Sequence, residues 1–263
     1  YTVRELLLGL LLASGNDAAL ALAEHAAGSE RAFVRLMNRR AAELGMDDTS
    51  FANPHGLDDK QHYSTARDMA VLMLHCMENP AFRELCGTRS ATINDETYVN
   101  HNKLLDRCSG CVAGKTGYTM AAGRCLVTCC ERNGMRFVCV TLSDSDDWND
   151  HIRLYDWVYS AYTLRELSEN LTFRVPVVSG NVSSVSAVPQ GRLELLVPAG
   201  REVELRAELP RFVFAPVNSG ETAGKLSVII NGEEAASCPL VYAEDAVLSF
   251  PCFHTVSFSE EKL

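Results

Sequence analysis

The sequence lacks an apolar run long enough to cross a membrane. Its longest one, Leu6 to Ala13, covers eight of the 263 residues, whereas a membrane-spanning helix needs about 20. The sequence therefore predicts no transmembrane helix. Two interpretations of this run stay open. Arg4 before it and a small residue at its end are typical of a signal peptide, whereas Glu5 at its edge and the missing initial Met favour a core helix.

Basic residues are also few. The chain has 24 Lys and Arg against 34 Asp and Glu, which gives a formal net charge of -10. A nucleic-acid partner requires clustered cations that neutralise phosphates, and the sequence shows no such cluster. The composition excludes a nucleic-acid-binding protein and fits a soluble enzyme, but it selects no substrate. The apolar content of 47% excludes disorder, and the length predicts about two domains.

Cysteine is too sparse for a disulfide-based scaffold, with ten residues in 263. Cys108-x-x-Cys111 and the pair Cys129-Cys130 leave two interpretations, metal or redox chemistry against buried, unliganded thiols. The sequence has no second Cys-x-x-Cys and no His pair at ligand spacing. We therefore favour unliganded thiols, and expect neither a metal site nor a cofactor.

The first part of the sequence has helical periodicity. Thr2 and Glu5 form a capping box, which predicts a helix over residues 3 to 12. A chain that opens at Tyr1 inside such a pattern is expected to be a fragment of a longer protein. Further helices are predicted from Asp17, from Ser29 to a stop at Gly45, and from Ser64-Thr65 to about Met77, ending at Asn79-Pro80.

Strand patterns dominate the later residues. Arg132-Asn133-Gly134 joins two apolar segments and predicts a hairpin of Gly123 to Glu131 with Met135 to Leu142. An amphipathic helix over residues 147 to 162 closes the first domain. Beyond about residue 170, alternating runs predict a small all-β domain. The runs are Phe173 to Val178, Arg192 to Val197, Glu202 to Glu208, Phe212 to Val217, Lys225 to Ile230 and Leu240 to Val247.

Lys115 is the first candidate for chemistry. It lies on a predicted strand between Gly114 and Gly117, where absent side chains allow a substrate backbone to approach closely. An ammonium beside the Thr116 hydroxyl suits a carboxylate, because charge-assisted hydrogen bonds contribute about 1.5 to 3 kcal/mol each. The alternative is a solvated Lys in a turn.

A phosphate-binding loop is a second alternative for the same residues. Gly110-x-x-x-Gly114-Lys115-Thr116 is one residue shorter than the phosphate-loop pattern. The following Gly117-Tyr118-Thr119 continues as a strand and does not open a helix, so its amides would not converge on a phosphate. We therefore disfavour nucleotide binding.

Ser14-Gly15-Asn16 precedes Lys115 by 101 residues, and such residues are common between two helices. With Lys115-Thr116-Gly117-Tyr118, however, it resembles the D-alanyl-D-alanine carboxypeptidases among the low-molecular-mass penicillin-binding proteins. Residues 171 to 256 resemble the second domain of that family. Further segments that resemble it, in its order, are Phe51 to Leu57, His62 to Met69, Asn102 to Leu105 and Gly114 to Gly123.

The resemblance implies an α/β (α+β) fold of the β-lactamase/transpeptidase type, followed by a small all-β sandwich. It implies serine-type hydrolysis of the terminal D-Ala-D-Ala bond of peptidoglycan stem peptides, with inhibition by β-lactams. Ser14 would pass a proton to the leaving amine, and Asn16 would hold the substrate amide or the catalytic Lys. Lys115, Thr116 and Gly117 would bind the terminal carboxylate region, and the backbone N–H of Tyr118 would form half of an oxyanion hole.

The sequence departs from that family at its nucleophile, which belongs to a Ser-x-x-Lys element preceding the Ser-x-Asn element. Only thirteen residues precede Ser14, and the one Ser-x-x-Lys present, Ser259 to Lys262, is a solvated tail. We therefore expect an N-terminally truncated catalytic domain that is inactive alone. The alternatives are a non-catalytic peptidoglycan-binding pseudoenzyme and a β-lactamase-like hydrolase.

The predicted domains are residues 1–168, an incomplete catalytic domain, residues 169–258, the β-sandwich, and residues 259–263, the tail. His62 and His101 stand in loop or strand patterns, and we favour structural roles for both. The resemblance implies an extracytoplasmic location in a bacterial envelope. It also implies possible membrane association through a C-terminal segment that is not present here.

Overall fold

The computed structural model describes residues 1–249. The predicted tail and its Ser-x-x-Lys lie outside the described residues. The chain divides into two compact units, Tyr1–Ala161 and a second that begins at Tyr162. The domain boundary predicted after residue 168 falls within the second unit. None of the helices within residues 1–249 has the length and apolar character that crossing a bilayer requires.

The first unit combines helices with short antiparallel sheets. The Thr2–Glu5 capping box is formed, and Ser29 and Thr65 cap two later helices through their side-chain oxygens. The helices are α1 Val3–Ala13, α2 Asn16–Ala27, α3 Glu30–Glu43, α4 Ala66–Cys76, α5 Pro80–Cys86, α6 Leu104–Arg107 and α7 Asp147–Ala161.

The main sheet of this unit has the order β3-β4-β5 and is antiparallel. Its strands are β3 Cys111–Thr119, β4 Gly123–Arg132 and β5 Met135–Thr141. A separate hairpin pairs β1 Ser90–Ile93 with β2 Glu96–Val99. Asn133 and Gly134 both have positive φ between β4 and β5, as the predicted Asn-Gly hairpin requires.

The two faces of the main sheet pack against different helices. Side chains of successive residues along β4 point to opposite faces, so Val127 and Cys129 pack with α4 and α5, while Leu126 and Cys130 pack with α6 and α7. The sheet is therefore a helix-covered central layer, in which β3 lies at one edge of the described strands.

The sequence pattern missed α5, because Asn79-Pro80 was interpreted as a helix end. Asn79 instead accepts hydrogen bonds from the first amides of α5, and Pro80 occupies its first turn. Proline is favoured at this position, since its missing N–H would have no helical partner there. The same two residues thus end one helix and start the next.

The second unit is all β within the described residues. A six-stranded sheet has the order β10-β12-β13-β8-β7-β11, and a two-stranded sheet pairs β6 with β9. The strands are β6 Tyr162–Glu166, β7 Phe173–Val178, β8 Ser184–Pro189, β9 Glu194–Pro198, β10 Val203–Glu208, β11 Val213–Phe214, β12 Thr222–Ile230 and β13 Glu233–Tyr242. A mixed helix-and-strand unit followed by an all-β unit is the predicted fold class.

One core serves both sheets of the second unit. It contains Leu167 and Leu193, next to the two-stranded sheet, together with Val175, Leu226 and Leu240 from the larger sheet. The last strand was placed wrongly from the sequence, as Leu240 to Val247, because β13 begins with mostly exposed residues whose apolar alternation is weak.

Candidate active site

The Ser14-Gly15-Asn16 segment forms the turn between α1 and α2. Ser14 caps α1 in the left-handed conformation with φ 58°, and its amide donates to the carbonyl O of Leu10 at 3.1 Å. Gly15 then occupies the N-cap position of α2, and Asn16 is its first residue. Leu12, just before the turn, is fully buried, and its carbonyl accepts a hydrogen bond from the His101 amide at 3.0 Å. These contacts fix the position of the turn.

Lys115 brings the two motifs together. Its Nζ contacts the Ser14 Oγ and donates to the carbonyl O of Thr116 at 2.9 Å. Burial lowers the pKa of Lys115, and the nearby Cys86 thiol opposes this effect. The amine is therefore closer to exchanging a proton with the Ser14 hydroxyl than an exposed Lys would be.

Gly114 and Gly117, on either side of Lys115 in the sequence, lack a side chain for different structural reasons. A Cβ on Gly114 would lie 2.5 Å from Asn102 Nδ2 and 2.8 Å from Thr128 Cγ2, so the missing side chain makes room for the protein itself. A Cβ on Gly117 would meet nothing closer than 3.7 Å. Only Gly117 fits the expectation of free space beside the strand.

A cavity of about 890 Å³ runs along β3. Every residue proposed from the sequence lies in its wall: Ser14, Asn16, Lys115, Thr116, Gly117 and Tyr118. The charged side chains of the wall are Lys103, Lys115, Arg124 and Asp147. Excess positive charge in a chain of net charge -10 favours an anionic ligand at this site.

Arg124, Asp147 and Trp148 were not found from the sequence. Arg124 is the direct partner of Tyr118 across the β3–β4 pair, so their side chains lie on one face of the sheet. Its guanidinium pairs with both oxygens of the nearly buried Asp147 carboxylate and lies 5.5 Å from the centre of the Trp148 ring. The β3–β4 register places Arg124 beside Tyr118, and this register is known only once the two strands are aligned.

A loop over residues 46–63 forms another part of the cavity wall and is held by Asp68. This carboxylate, 1% exposed, accepts from the Thr49 hydroxyl at 2.7 Å and the Asp48 amide at 3.0 Å. Hydrogen bonding from Thr49 lowers the pKa of Asp68. The charged form of Asp68 therefore fixes one end of the loop that delivers Asn53 and His55 to the cavity.

His62 and His101 both line the cavity. The His62 Nδ1 accepts the amide of Ala52 at 3.2 Å, and its ring lies edge-on to Phe51 at 5.8 Å between centres. Burial lowers the pKa of His62, which favours the neutral ring that this hydrogen bond requires. These contacts support a structural role for His62.

A buried polar network lies behind the strand that carries Lys115. Thr128, the cross-strand partner of Gly114, has its Oγ1 at 2.8 Å from His151 Nδ1 and at 2.8 Å from the Tyr155 hydroxyl. The other ring nitrogen of His151 lies 3.2 Å from the Thr141 Oγ1. The network connects β4, β5 and α7 through polar groups that are all partnered.

The family of D-alanyl-D-alanine carboxypeptidases matches residues 1–146, and the C-terminal domain of penicillin-binding protein 5 matches residues 167–247. The chain belongs to the D-alanyl-D-alanine carboxypeptidase family of low-molecular-mass penicillin-binding proteins.

Known relatives cover nearly the whole chain. The D-alanyl-D-alanine carboxypeptidase DacF of Bacillus subtilis is 32% identical over 93% of this chain and 66% of its own length. DacC of Escherichia coli is 32% identical over 93% of this chain and 64% of its own length. Penicillin-binding protein 5 of Haemophilus influenzae has a TM-score of 0.71 at 31% identity, covering 94% of this chain and 75% of that structure. The chain thus spans about two thirds of the length of these curated relatives.

Proposed function

We propose that this chain comes from a serine-type D-alanyl-D-alanine carboxypeptidase that acts on peptidoglycan stem peptides outside the bacterial cytoplasm. The observation that carries the proposal is the contact of Lys115 Nζ with Ser14 Oγ in the wall of a cavity whose charged side chains are mostly cationic. The family membership and the named activity of the relatives support it. The proposal includes inhibition by β-lactams.

In the proposed reaction, a nucleophilic Ser attacks the carbonyl carbon of the terminal peptide bond and D-alanine leaves. The proton of the nucleophilic Ser hydroxyl passes to the Lys of the same Ser-x-x-Lys element, and Ser14, whose Oγ contacts the Lys115 ammonium, relays a proton to the leaving amine. Thr116 and Lys115 hold the terminal carboxylate, and Asn16 orients the substrate amide. The backbone N–H of Tyr118 stabilises the developing oxyanion. Water then hydrolyses the ester to release the product.

The proposed nucleophile is a Ser-x-x-Lys serine, and none precedes Ser14 in the printed sequence. Loss of a catalytic nucleophile costs on the order of a millionfold in turnover. We therefore propose that this polypeptide alone binds substrate without converting it.

Binding can be measured on the chain as it stands, by tryptophan fluorescence. Trp148 lines the cavity, and the sequence has one other tryptophan, Trp157. A Trp157→Phe variant therefore reports on Trp148 alone. A peptide ending in D-Ala-D-Ala with a free carboxylate should change the emission saturably. The same peptide ending in D-alaninamide should bind more weakly.

Lys115→Ala should weaken binding of the carboxylate peptide about 10- to 100-fold, from the loss of one charge-assisted hydrogen bond. Lys225→Ala is the matched control, because Lys225 is ion-paired with Glu234 in the second unit. The affinity should also fall as the pH rises through the lowered pKa of Lys115, since only the ammonium attracts the carboxylate. Equal affinity for acid and amide peptides would contradict the proposed role of Lys115.

A second candidate function is non-catalytic peptidoglycan binding, because the residues proposed to hold the terminal carboxylate, Lys115 and Thr116, line the cavity and need no nucleophile to bind it. Fluorescent penicillin distinguishes the two. We expect no covalent labelling of this chain, and labelling of the natural gene product from which it derives. A folded natural product that binds the peptide but is never labelled would replace the carboxypeptidase proposal with the non-catalytic one.

A further inference from the structure

Two buried thiols face each other where the chain enters β3. The Sγ atoms of Cys108, at the end of α6, and Cys130, on β4, lie 4.0 Å apart. A turn in which the Cys111 amide donates to the Cys108 carbonyl at 3.1 Å connects Cys108 to the first residue of β3. Neither sulfur takes part in the reaction proposed above.

Arg132 holds a positive charge beside this pair. Its Nη2 lies 3.4 Å from the Cys108 Sγ, while its Nε donates to the Ser109 carbonyl at 2.7 Å and its Nη1 to Asp156 at 3.0 Å. The guanidinium also lies 4.7 Å from the centre of the Tyr159 ring. Three contacts thus hold the guanidinium in place against the Cys108 thiol.

The two sulfurs have complementary roles. The Cys130 thiol has two acceptors within reach for its one hydrogen, the Ser109 carbonyl at 3.3 Å and the Cys108 sulfur at 4.0 Å. Cys108 lies farther from that carbonyl, at 3.8 Å, and accepts from Arg132 Nη2 at 3.4 Å. The hydrogen bond between the two sulfurs lowers the pKa of Cys108 and raises the pKa of Cys130. The Arg132 guanidinium lowers the pKa of Cys108 further. The arrangement favours a thiolate at Cys108 next to a thiol at Cys130, and the thiolate is the nucleophilic form.

Other buried thiols of this unit lack that environment. Burial raises the pKa of Cys111 to about 12, of Cys139 to about 12 and of Cys129 to about 11. Cys111 is the backbone partner of Cys130, but its sulfur contacts Asn102 Nδ2 and the Ala113 carbonyl.

We propose that Cys108 and Cys130 form a dithiol pair that small organic disulfides oxidise to an intrachain disulfide. The Cys108 thiolate attacks one sulfur of the oxidant, so that a mixed disulfide forms and one thiolate leaves. Cys130 then loses its proton and attacks the Cys108 sulfur, which releases the second thiolate. Two protein thiols are oxidised and one organic disulfide is reduced to two thiols. Attack begins at Cys108, the more exposed of the two at 5% against 0%.

Formation of the bond requires the two sulfur atoms, now 4.0 Å apart, to move closer. A disulfide brings two sulfurs to about 2.05 Å, so the pair must close by about 2 Å. Cys108 follows the four-residue helix α6 and precedes a turn, where the backbone has more freedom than within a sheet. The bond would tie the entry of β3, the strand of Lys115, to β4.

Peptide mapping of the chain tests the proposal directly. The reduced protein is exposed to bis(2-hydroxyethyl) disulfide, alkylated in denaturant and digested with trypsin. Cleavage after Arg107 and Arg124 places Cys108 in residues 108–115 and Cys130 in residues 125–132. We expect these two peptides to be linked with the loss of two hydrogens, and fragmentation to locate the bond at Cys108 and Cys130.

Variants distinguish a pair from isolated thiols. In Cys130→Ser, the remaining Cys108 should carry a mercaptoethanol adduct, and the linked peptide should disappear. Cys139→Ser is the matched control, because it removes a buried thiol of the same core cluster and should leave the link intact. The proposal is overturned if Cys108 and Cys130 stay as alkylatable as Cys139, or if the link joins Cys111 to Cys130. The wild-type map decides this even where a variant fails to fold.

Discussion

The buried His151 makes the stability of the chain depend on pH in a defined window. Its side chain is 0% exposed between two threonine hydroxyls. Burial lowers the pKa of His151 to about 4, against the opposing charges of Asp147 and Asp150. An unfolded His has a pKa of about 6.5. Between these values the unfolded chain binds a proton that the native chain does not, so stability is lost as the pH falls from about 6.5 toward 4.

The size of this effect follows from the two pKa values. One pKa unit corresponds to about 1.4 kcal/mol, so a pKa difference of about 2.5 units removes about 3 kcal/mol of the free energy of unfolding near pH 4. Small domains have a total of about 5 to 15 kcal/mol. Protonation of this one histidine would therefore remove a large fraction of the stability of a typical small domain.

Urea unfolding of the parent chain and of His151→Gln, each at pH 7 and pH 4.5, measures the effect. The parent should lose about 2 to 3 kcal/mol more than the variant between these pH values. His25→Gln, at an exposed position of α2, is the control and should follow the parent. An NMR titration that finds the His151 ring protonating near pH 6.5 would refute the reasoning, whether or not the variant folds.

Three further substitutions test the site. Gly114→Ala should lower the free energy of unfolding by about 1 to 3 kcal/mol in urea titrations, because its Cβ would overlap neighbouring atoms; Gly117→Ala should fold normally, and equal losses would contradict this. Asp68→Ala should lower the melting temperature measured by circular dichroism, since it frees one end of the cavity loop; an unchanged value would count against that role. Arg124→Gln removes one positive charge from the cavity wall, so it should weaken calorimetric binding of the carboxylate peptide more than that of the amide; equal weakening would contradict an electrostatic contribution of Arg124.

Local signals in the sequence were sufficient for several features that depend on neighbouring residues. The capping box of Thr2 and Glu5 starts α1 where predicted. The Asn133-Gly134 pair produces the β4–β5 hairpin, because both residues have positive φ. Such features depend on backbone preferences and side chains a few residues away, which a sequence displays directly.

Features that depend on distant residues were not visible in the same way. The Arg124 and Asp147 pair requires the β3–β4 register and the position of the first turn of α7. β6 follows α7 immediately, without the Gly or Pro that would mark a turn, and so it was missed. Periodicity within one element contains no information about which elements meet, so these contacts needed the folded chain.

The two glycines beside Lys115 show how one motif serves two purposes. Gly114 is required by the interior, because Asn102 and Thr128 occupy the space where its side chain would be. Gly117 lines the cavity, where a missing side chain leaves space for a ligand. The Thr128 network thus contacts one end of the segment Gly114–Gly117, and the cavity adjoins the other end. The position of Lys115 depends on the buried layer behind it as much as on the Ser14 turn in front of it.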